Sequence, residues 1–328
     1  MCGWQRMRTA WYYWSSNGFP EISCSLSSKS HLPQISCANK SALSWRLPIP
    51  VSSKLNNELA QHQKSVAKYA YTYNSTSPFP TDRRAPLMTC SNVTSLEIHQ
   101  VYDMKSVESV SGIIWKCKHL TDLSLGFNRD KMYNYLELLG AGSAARFSFW
   151  SHLQTRATTK PAEGEKLVLS LNSLKLSRMS VEKLEDLVDL GALKSLSLDD
   201  CPSTELLLAL WNTSDRERNL KCLHVKPVAG EGQGVESQLI IFLTKFSSLG
   251  EFAFMHPTDV FYQYDTKSLL DWHWGSLRAV VLDDSPTTGD RATLHELYNK
   301  CPRLLGIGVQ VSFNNLEVFT PFPSPFYL

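Results

Sequence analysis

The chain has almost no excess charge of either sign: 33 basic side chains against 31 acidic ones leave a formal net charge of +2 over 328 residues. So even a balance argues against a nucleic-acid binder, which concentrates a basic stripe on one face. Short basic clusters such as Asp82-Arg83-Arg84 and Arg216-Glu217-Arg218 are interleaved with acids and read as solvated surface. Long apolar runs are missing too. No stretch approaches the ~20 apolar residues that span a bilayer. Trp11-Tyr12-Tyr13-Trp14 passes at once into Ser15-Ser16-Asn17, a poor match to a secretion signal. The sequons at Asn39, Asn74, Asn92 and Asn212 are therefore read as chance. These absences predict a chain of the cytoplasm or the nucleus, with no nucleic acid and no membrane among its partners.

Catalytic and metal-binding spacings are equally scarce. Eight cysteines are widely spread, with no Cys-X-X-Cys, and no histidine pair stands at ligand spacing. That predicts reduced thiols, no metal site and no cofactor. The one glycine-rich run, Gly230-Glu231-Gly232-Gln233-Gly234, lacks the Lys-Ser/Thr of a phosphate loop. It reads as a strand-to-helix connection. No Gly-X-Ser-X-Gly elbow is present, and Asp271-Trp272-His273-Trp274 reads as aromatic packing beside a surface histidine. The chain is not expected to be an enzyme.

What the sequence does contain is a repeat. Hydrophobic residues make up 43% of the chain, enough for a large core, and many fall into L-x-x-L-x-L with other large apolar residues allowed. Copies occur at Val93-Leu96-Ile98, Leu120-Leu123-Leu125, Leu171-Leu174-Leu176 and Leu193-Leu196-Leu198. Others are Leu220-Leu223-Val225, Leu249-Phe252-Phe254, Leu277-Val280-Leu282 and Leu304-Ile307-Val309. First positions step by 27, 51, 22, 27, 29, 28 and 27. A degenerate copy, Ala144-Phe147-Phe149, divides the step of 51, and Val66-Tyr69-Tyr71 extends the series upstream.

Positions four and six of the motif share one side of a strand, because side chains alternate with period two. Between motifs the spacing turns helical, as at Val107, Val110, Ile114 and Cys117, or Leu184, Leu187 and Leu190. Leu206, Leu207, Leu210 and Trp211 form another such stripe, as do Leu239, Ile240, Leu243 and Phe246, and Leu294, Leu297, Tyr298 and Cys301. Pro202-Ser203-Thr204-Glu205 predicts a helix start. One strand and one helix per ~27 residues cannot bury their apolar faces alone, whereas stacked neighbours can. The predicted fold is an α/β leucine-rich-repeat solenoid: a horseshoe of about nine or ten repeats over residues 56–312, with a concave parallel sheet and convex helices.

Cys117-Lys118-His119-Leu120 and Cys301-Pro302-Arg303-Leu304 each place a cysteine three residues before a motif, and Cys201 stands three after position six of its own. This resembles the cysteine-containing leucine-rich repeat, C-P-x-L-x-x-L-x-L-x-x-C, over residues 90–312. The pattern looks like the F-box/leucine-rich-repeat proteins of ribonuclease-inhibitor-like fold. The resemblance implies buried, reduced, structural cysteines. It also implies a substrate receptor of a cullin–RING ubiquitin ligase, with the ligase adaptor as one partner. That family carries an F-box before its repeats. Phe19-Pro20-Glu21-Ile22 is similar to its opening, but Ser23-Cys24-Ser25-Leu26-Ser27-Ser28 does not continue as an amphipathic helix. Residues 1–55, rich in serine and proline, are read as disordered or as a degenerate F-box region. The alternative is a free-standing scaffold or enzyme inhibitor with no ubiquitin role.

A non-catalytic, monomeric interaction module is therefore expected, holding a protein partner on the concave face. Motif positions three, five and seven must point onto that face. The partner-binding candidates are Glu97, His99, Trp150, Lys175, Asp199, His224, Lys226, Met255, Asp283 and Gln310, with Trp150 and Met255 as anchors. Residues 313–328, with Leu316, Val318, Phe319, Phe322, Phe326 and Tyr327, are expected to form a cap or a tail.

Overall fold

A computed structural model describes residues 42–45, 67–72, 92–128, 148–159, 168–214, 218–255, 270–283 and 299–309. Every apolar motif except the degenerate copy forms a short strand, and among these residues ten strands make one sheet in strict sequence order. They are β1 (Ala42–Trp45), β2 (Lys68–Thr72), β3 (Ser95–Val101), β4 (Asp122–Phe127) and β5 (Ser173–Ser177). The rest are β6 (Ser195–Asp199), β7 (Cys222–Lys226), β8 (Glu251–Met255), β9 (Ala279–Asp283) and β10 (Gly306–Val309). Every pairing is parallel, and position four sits beside position four, as in Leu96 beside Leu123 and Leu196 beside Leu223. This is the leucine-rich-repeat solenoid that the spacing predicts.

One hydrogen-bond device recurs at strand entry. The amides of positions two and three both donate to the position-two carbonyl of the preceding repeat, as Thr121 and Asp122 do to Thr94. Lys194 and Ser195 use Asn172 in the same way, and Arg278 and Ala279 use Gly250. Hydroxyls reinforce the step: Thr121 Oγ1 donates to Thr94 O at 3.1 Å and Ser276 Oγ to Leu249 O at 2.6 Å.

The same bond corrects the sequence reading in the long interval. Asn172 and Ser173 donate to the Thr121 carbonyl, so β5 lies directly against β4 and no copy intervenes in the sheet. Phe149, the last residue of the degenerate copy, instead starts a helix, Phe149–Thr159. Ser148 stands at its start, with Ser151 N donating to Ser148 Oγ at 3.3 Å. A hydroxyl placed to satisfy a first-turn amide outweighs a weak strand pattern. A second correction lies upstream: β1 continues the sheet, Leu43 beside Tyr69, inside the segment read as disordered or F-box-like.

Among the described residues, α-helices include α1 (Met104–Lys116), α2 (Phe149–Thr159), α3 (Thr204–Thr213) and α4 (Gly232–Leu243). Asp103 starts α1 by accepting from Ser106 N at 2.8 Å, and Ser106 Oγ accepts in return from Asp103 N. The predicted stripe of α1 is buried, Val107, Val110, Ile114 and Cys117 each at most 4% exposed. The stripe Leu184, Leu187, Leu190 forms only a one-turn 3-10 helix, Leu184–Asp186, and that of Leu294 and Leu297 lies outside the described residues. On α3 the buried face is Thr204, Leu207, Leu208 and Trp211, leaving Leu206 and Leu210 outward.

Three repeats leave their strand the same way. Position eight, Gln100, Arg178 or Asp200, takes a left-handed conformation at φ of 60°, 58° and 56°. The turn swings position nine inward, so Val101, Met179 and Cys201 are buried. Cys117, Cys201 and Cys301 are all buried and none of them is in a disulfide, as the repeat pattern implies. Burial pushes the Cys201 thiol up to about 12 and that of Cys301 up to about 11.

Two residues read as surface are core. Arg218 is buried, donating through Nη2 to the carbonyls of Trp211 and Ser214 at the end of α3. A cation there meets the negative end of the helix dipole, and its guanidinium lies 5.1 Å from the Phe242 ring centroid. His273 is 1% exposed, 5.1 Å from the Phe246 ring, and Trp272 beside it is the exposed residue.

Candidate protein-binding face

The strands that bury positions four and six must present three, five and seven on the other side of the sheet. Burial alternates accordingly in β5, β6 and β7, half-buried or exposed residues flanking sealed leucines and a valine. Strand register then decides which candidates meet.

At the β3–β4 end, His99 Nε2 lies 2.7 Å from Glu97 Oε1. The ring passes over Gly126 on the next strand, where an added Cβ would come 2.8 Å from His99 Nδ1. A side chain at position 126 would therefore force the His99 ring to shift, a constraint invisible in Gly126's own repeat.

Across β4–β6 the face is floored with serine. Ser124, Lys175 and Ser197 stand side by side at position five, and Ser173 and Ser177 flank Lys175 along its own strand. Lys175 is exposed. Small hydroxyl residues around it leave that ammonium standing above its surroundings.

At position seven, β5 to β7 form a chain of contacts. Ser177 Oγ donates to Asp199 Oδ2 at 3.1 Å, and Lys226 Nζ lies 3.5 Å from Asp199 Oδ1. One residue further along, Arg178 and Asp200 approach to 4.0 Å.

Position three supplies residues that the sequence reading did not enumerate. Glu251 on β8 is in register with Cys222 on β7. Burial first, then the carboxylate of Glu251, pushes the Cys222 thiol up to about 11. His224, two residues on, is lowered by burial, Glu251 opposing and Lys175 adding to that shift. A nucleophilic cysteine needs its thiolate favoured. Here burial, with Glu251 adding to it, keeps the proton on sulfur, so Cys222, His224 and Glu251 form a polar cluster without an activated thiol. The position three that Cys222 and Glu251 share, beside His224 at position five, is the signal that could have found those two.

The remaining candidates divide. Met255 is half-buried at the end of β8, beside Asp283 at the end of β9. Gln310 lies outside the described residues, as does the expected cap or tail over residues 313–328. Ala253, at position five of β8, is sealed at 1% exposure between His224 and Val281. Trp150 is not on this face. It lies in the first turn of α2, 0% exposed and edge-on to Phe149 at 5.2 Å between ring centroids. The register that placed it at position seven belonged to a copy whose last residue, Phe149, starts a helix.

Among the described residues, no group of three or more His, Cys, Asp or Glu side chains could hold a metal ion. Nor is any helix there long and apolar enough to cross a membrane.

No family model matches the sequence, and no curated protein is similar enough to match it. Among solved structures, a similar chain is found in the crystal structure of the yeast Rad7 and Elc1 complex, at 15% identity and a TM-score of 0.29. The match covers 78% of this chain and 76% of that chain. So distant a likeness carries no argument about what this chain binds.

Proposed function

We propose that this chain is a non-catalytic interaction module that holds a protein partner on the open face of β3–β8. One observation carries the reading. A continuous parallel sheet presents Glu97, His99, Lys175, Asp199, His224, Lys226 and Met255 on one side while its other side is sealed core. Charges of both signs set register on a partner, and the half-buried Met255 supplies apolar contact.

The cysteine-containing repeat supports a finer assignment, a substrate receptor of a cullin–RING ubiquitin ligase that also docks on the ligase adaptor. The competing reading is a free-standing scaffold or inhibitor. It is favoured by β1, which pairs with β2 inside the stretch where an F-box would stand. Either role belongs to the cytoplasm or the nucleus.

The test is crosslinked affinity purification of the full chain from its native cells, alongside Lys175→Glu/Lys226→Glu and a control, Glu205→Lys, on α3. Proteins lost with the double variant and kept with the control are partners of the open face. Loss of nothing, or equal loss with both variants, overturns the reading. Recovery of a cullin adaptor with every variant supports the receptor. One stoichiometric partner without any ligase subunit sinks it in favour of the scaffold.

A further inference from the structure

Position two of the motif stands at the strand-entry edge of each repeat, and its backbone stacks as regularly as the sheet. Lys221 N donates to Lys194 O at 2.7 Å, Gly250 N to Lys221 O at 2.8 Å, and Arg278 N to Gly250 O at 2.7 Å. Leu305 N closes the series on Arg278 O at 2.7 Å. Residues far apart in the chain thus form one row along the rim. At β3, β4 and β5 the row is neutral, with Thr94, Thr121 and Asn172; from β6 to β9 it carries Lys194, Lys221 and Arg278, with Gly250 as a gap. No position two from β2 to β10 is acidic. All three cations are exposed, and among the described residues none of them forms an ion pair. Strand spacing puts the Lys194 and Lys221 backbones about 5 Å apart and that of Arg278 about 10 Å further on. The row ends on Leu305, 82% exposed. An overall charge of only +2 conceals this, because the register collects cations that the sequence scatters.

We propose that this rim binds an acidic segment of a protein partner, laid across β6–β10 with carboxylates on Lys194, Lys221 and Arg278 and an apolar side chain against Leu305. It is a second surface, separate from positions five and seven, and does not depend on the open-face reading. Unpaired cations in a row attract and orient an anionic chain. Three features select a peptide among anionic chains. Glu251, exposed and one residue past Gly250, stands beside the gap in the row. It repels a nucleic acid, which carries a phosphate on every unit, whereas a peptide sets a neutral residue there. Three cations also release few counterions, and nucleic-acid affinity comes from releasing many. They fall short of the clusters of about four to eight that hold a protein on anionic lipid. Finally, Leu305 offers an apolar contact that a phosphate backbone does not use.

Fluorescence anisotropy of the full chain with a labelled oligoglutamate peptide, leucines at both its ends, tests the assignment. Lys194→Glu/Lys221→Glu/Arg278→Glu is expected to weaken binding at least about tenfold, and Lys245→Glu, beyond the end of α4, to change it less than about twofold. Gly250→Lys fills the gap and is expected to tighten binding about threefold or more, since its Cβ would meet only Lys221 O at an ordinary 3.5 Å. A misfolded variant cannot mimic that gain. No binding by the native chain, or an unchanged affinity in the triple variant, overturns the proposal. So does tighter binding of oligothymidine or of phosphatidylserine vesicles that the same variant abolishes. Equal weakening by Lys175→Glu would move the peptide to the open face, sinking this inference while leaving that reading in place.

Discussion

Lys226 holds Asp199 across the β6–β7 boundary at 3.5 Å, and the two side chains remain 41% and 42% exposed. Half in water, such a pair stabilises the fold by at most about 1 kcal/mol. Asp199→Ala and Lys226→Ala are each expected to lower stability by less than about 1 kcal/mol in urea unfolding. Partner capture should fall in both. A large stability loss with unchanged capture would make the pair a structural tie.

Trp150 reverses that balance. Its side chain is fully buried against Phe149, so Trp150→Ala should cost about 3–5 kcal/mol, as large-to-small core changes do. Its indole Nε1 has no hydrogen-bond partner, so Trp150→Phe forfeits no hydrogen bond and should cost clearly less. Urea unfolding of the two variants checks the order. A stable Trp150→Ala protein that fails only to bind would return the residue to the open face.

His273 couples stability to pH. Burial lowers its ring to about 4 from an ordinary 6.5, while the bond between Nε2 and Leu243 O, 3.1 Å, opposes the shift. Between those values the unfolded chain binds the proton more tightly, so this contribution is whole above pH 6.5 and lost as pH falls toward 4. From pH 7 to pH 5 the loss is about 2 kcal/mol. His273→Gln cannot titrate, so its stability should change less over that interval, measured by denaturant midpoints at both pH values. Parallel curves for the two proteins would refute the assignment.

The thiols should be slow. With Cys201 near 12 and Cys222 and Cys301 near 11, thiolate fractions at pH 8 are on the order of one in a thousand or less. Iodoacetamide at pH 8 is expected to leave all three unmodified in the folded chain and to label them once it is denatured. Mass spectrometry of the digested protein reads the result. Rapid labelling of Cys222 in the native state would restore it as a nucleophile candidate.

The local pattern was enough for nine of the ten strands. An apolar residue at positions four and six marks one side of a strand as the core side whatever its neighbours are, so the copies that begin at Val93 and Leu304 announce repeats equally well. Cysteine placement carried the same information, because a small apolar side chain is wanted where the turn at Asp200 swings Cys201 inward. The outward side was legible for the same reason, and Glu97, Lys175, Asp199 and Lys226 stand where alternation puts them.

What failed depended on competition between distant parts of the chain. Phe149 and Trp150 satisfy a strand pattern and a helix pattern alike. The choice was made by the Thr121 carbonyl, which the amides of Asn172 and Ser173 occupy. Arg218 and His273 look like surface residues until the end of α3 and the Leu243 carbonyl offer them partners in the interior. The sequence by itself determined the period, the sealed side and the open side of the sheet, since these follow from alternation within one strand. Only the tertiary structure decided which repeats are neighbours, and so which residues touch, because a hydrogen bond between strands depends on both chains at once.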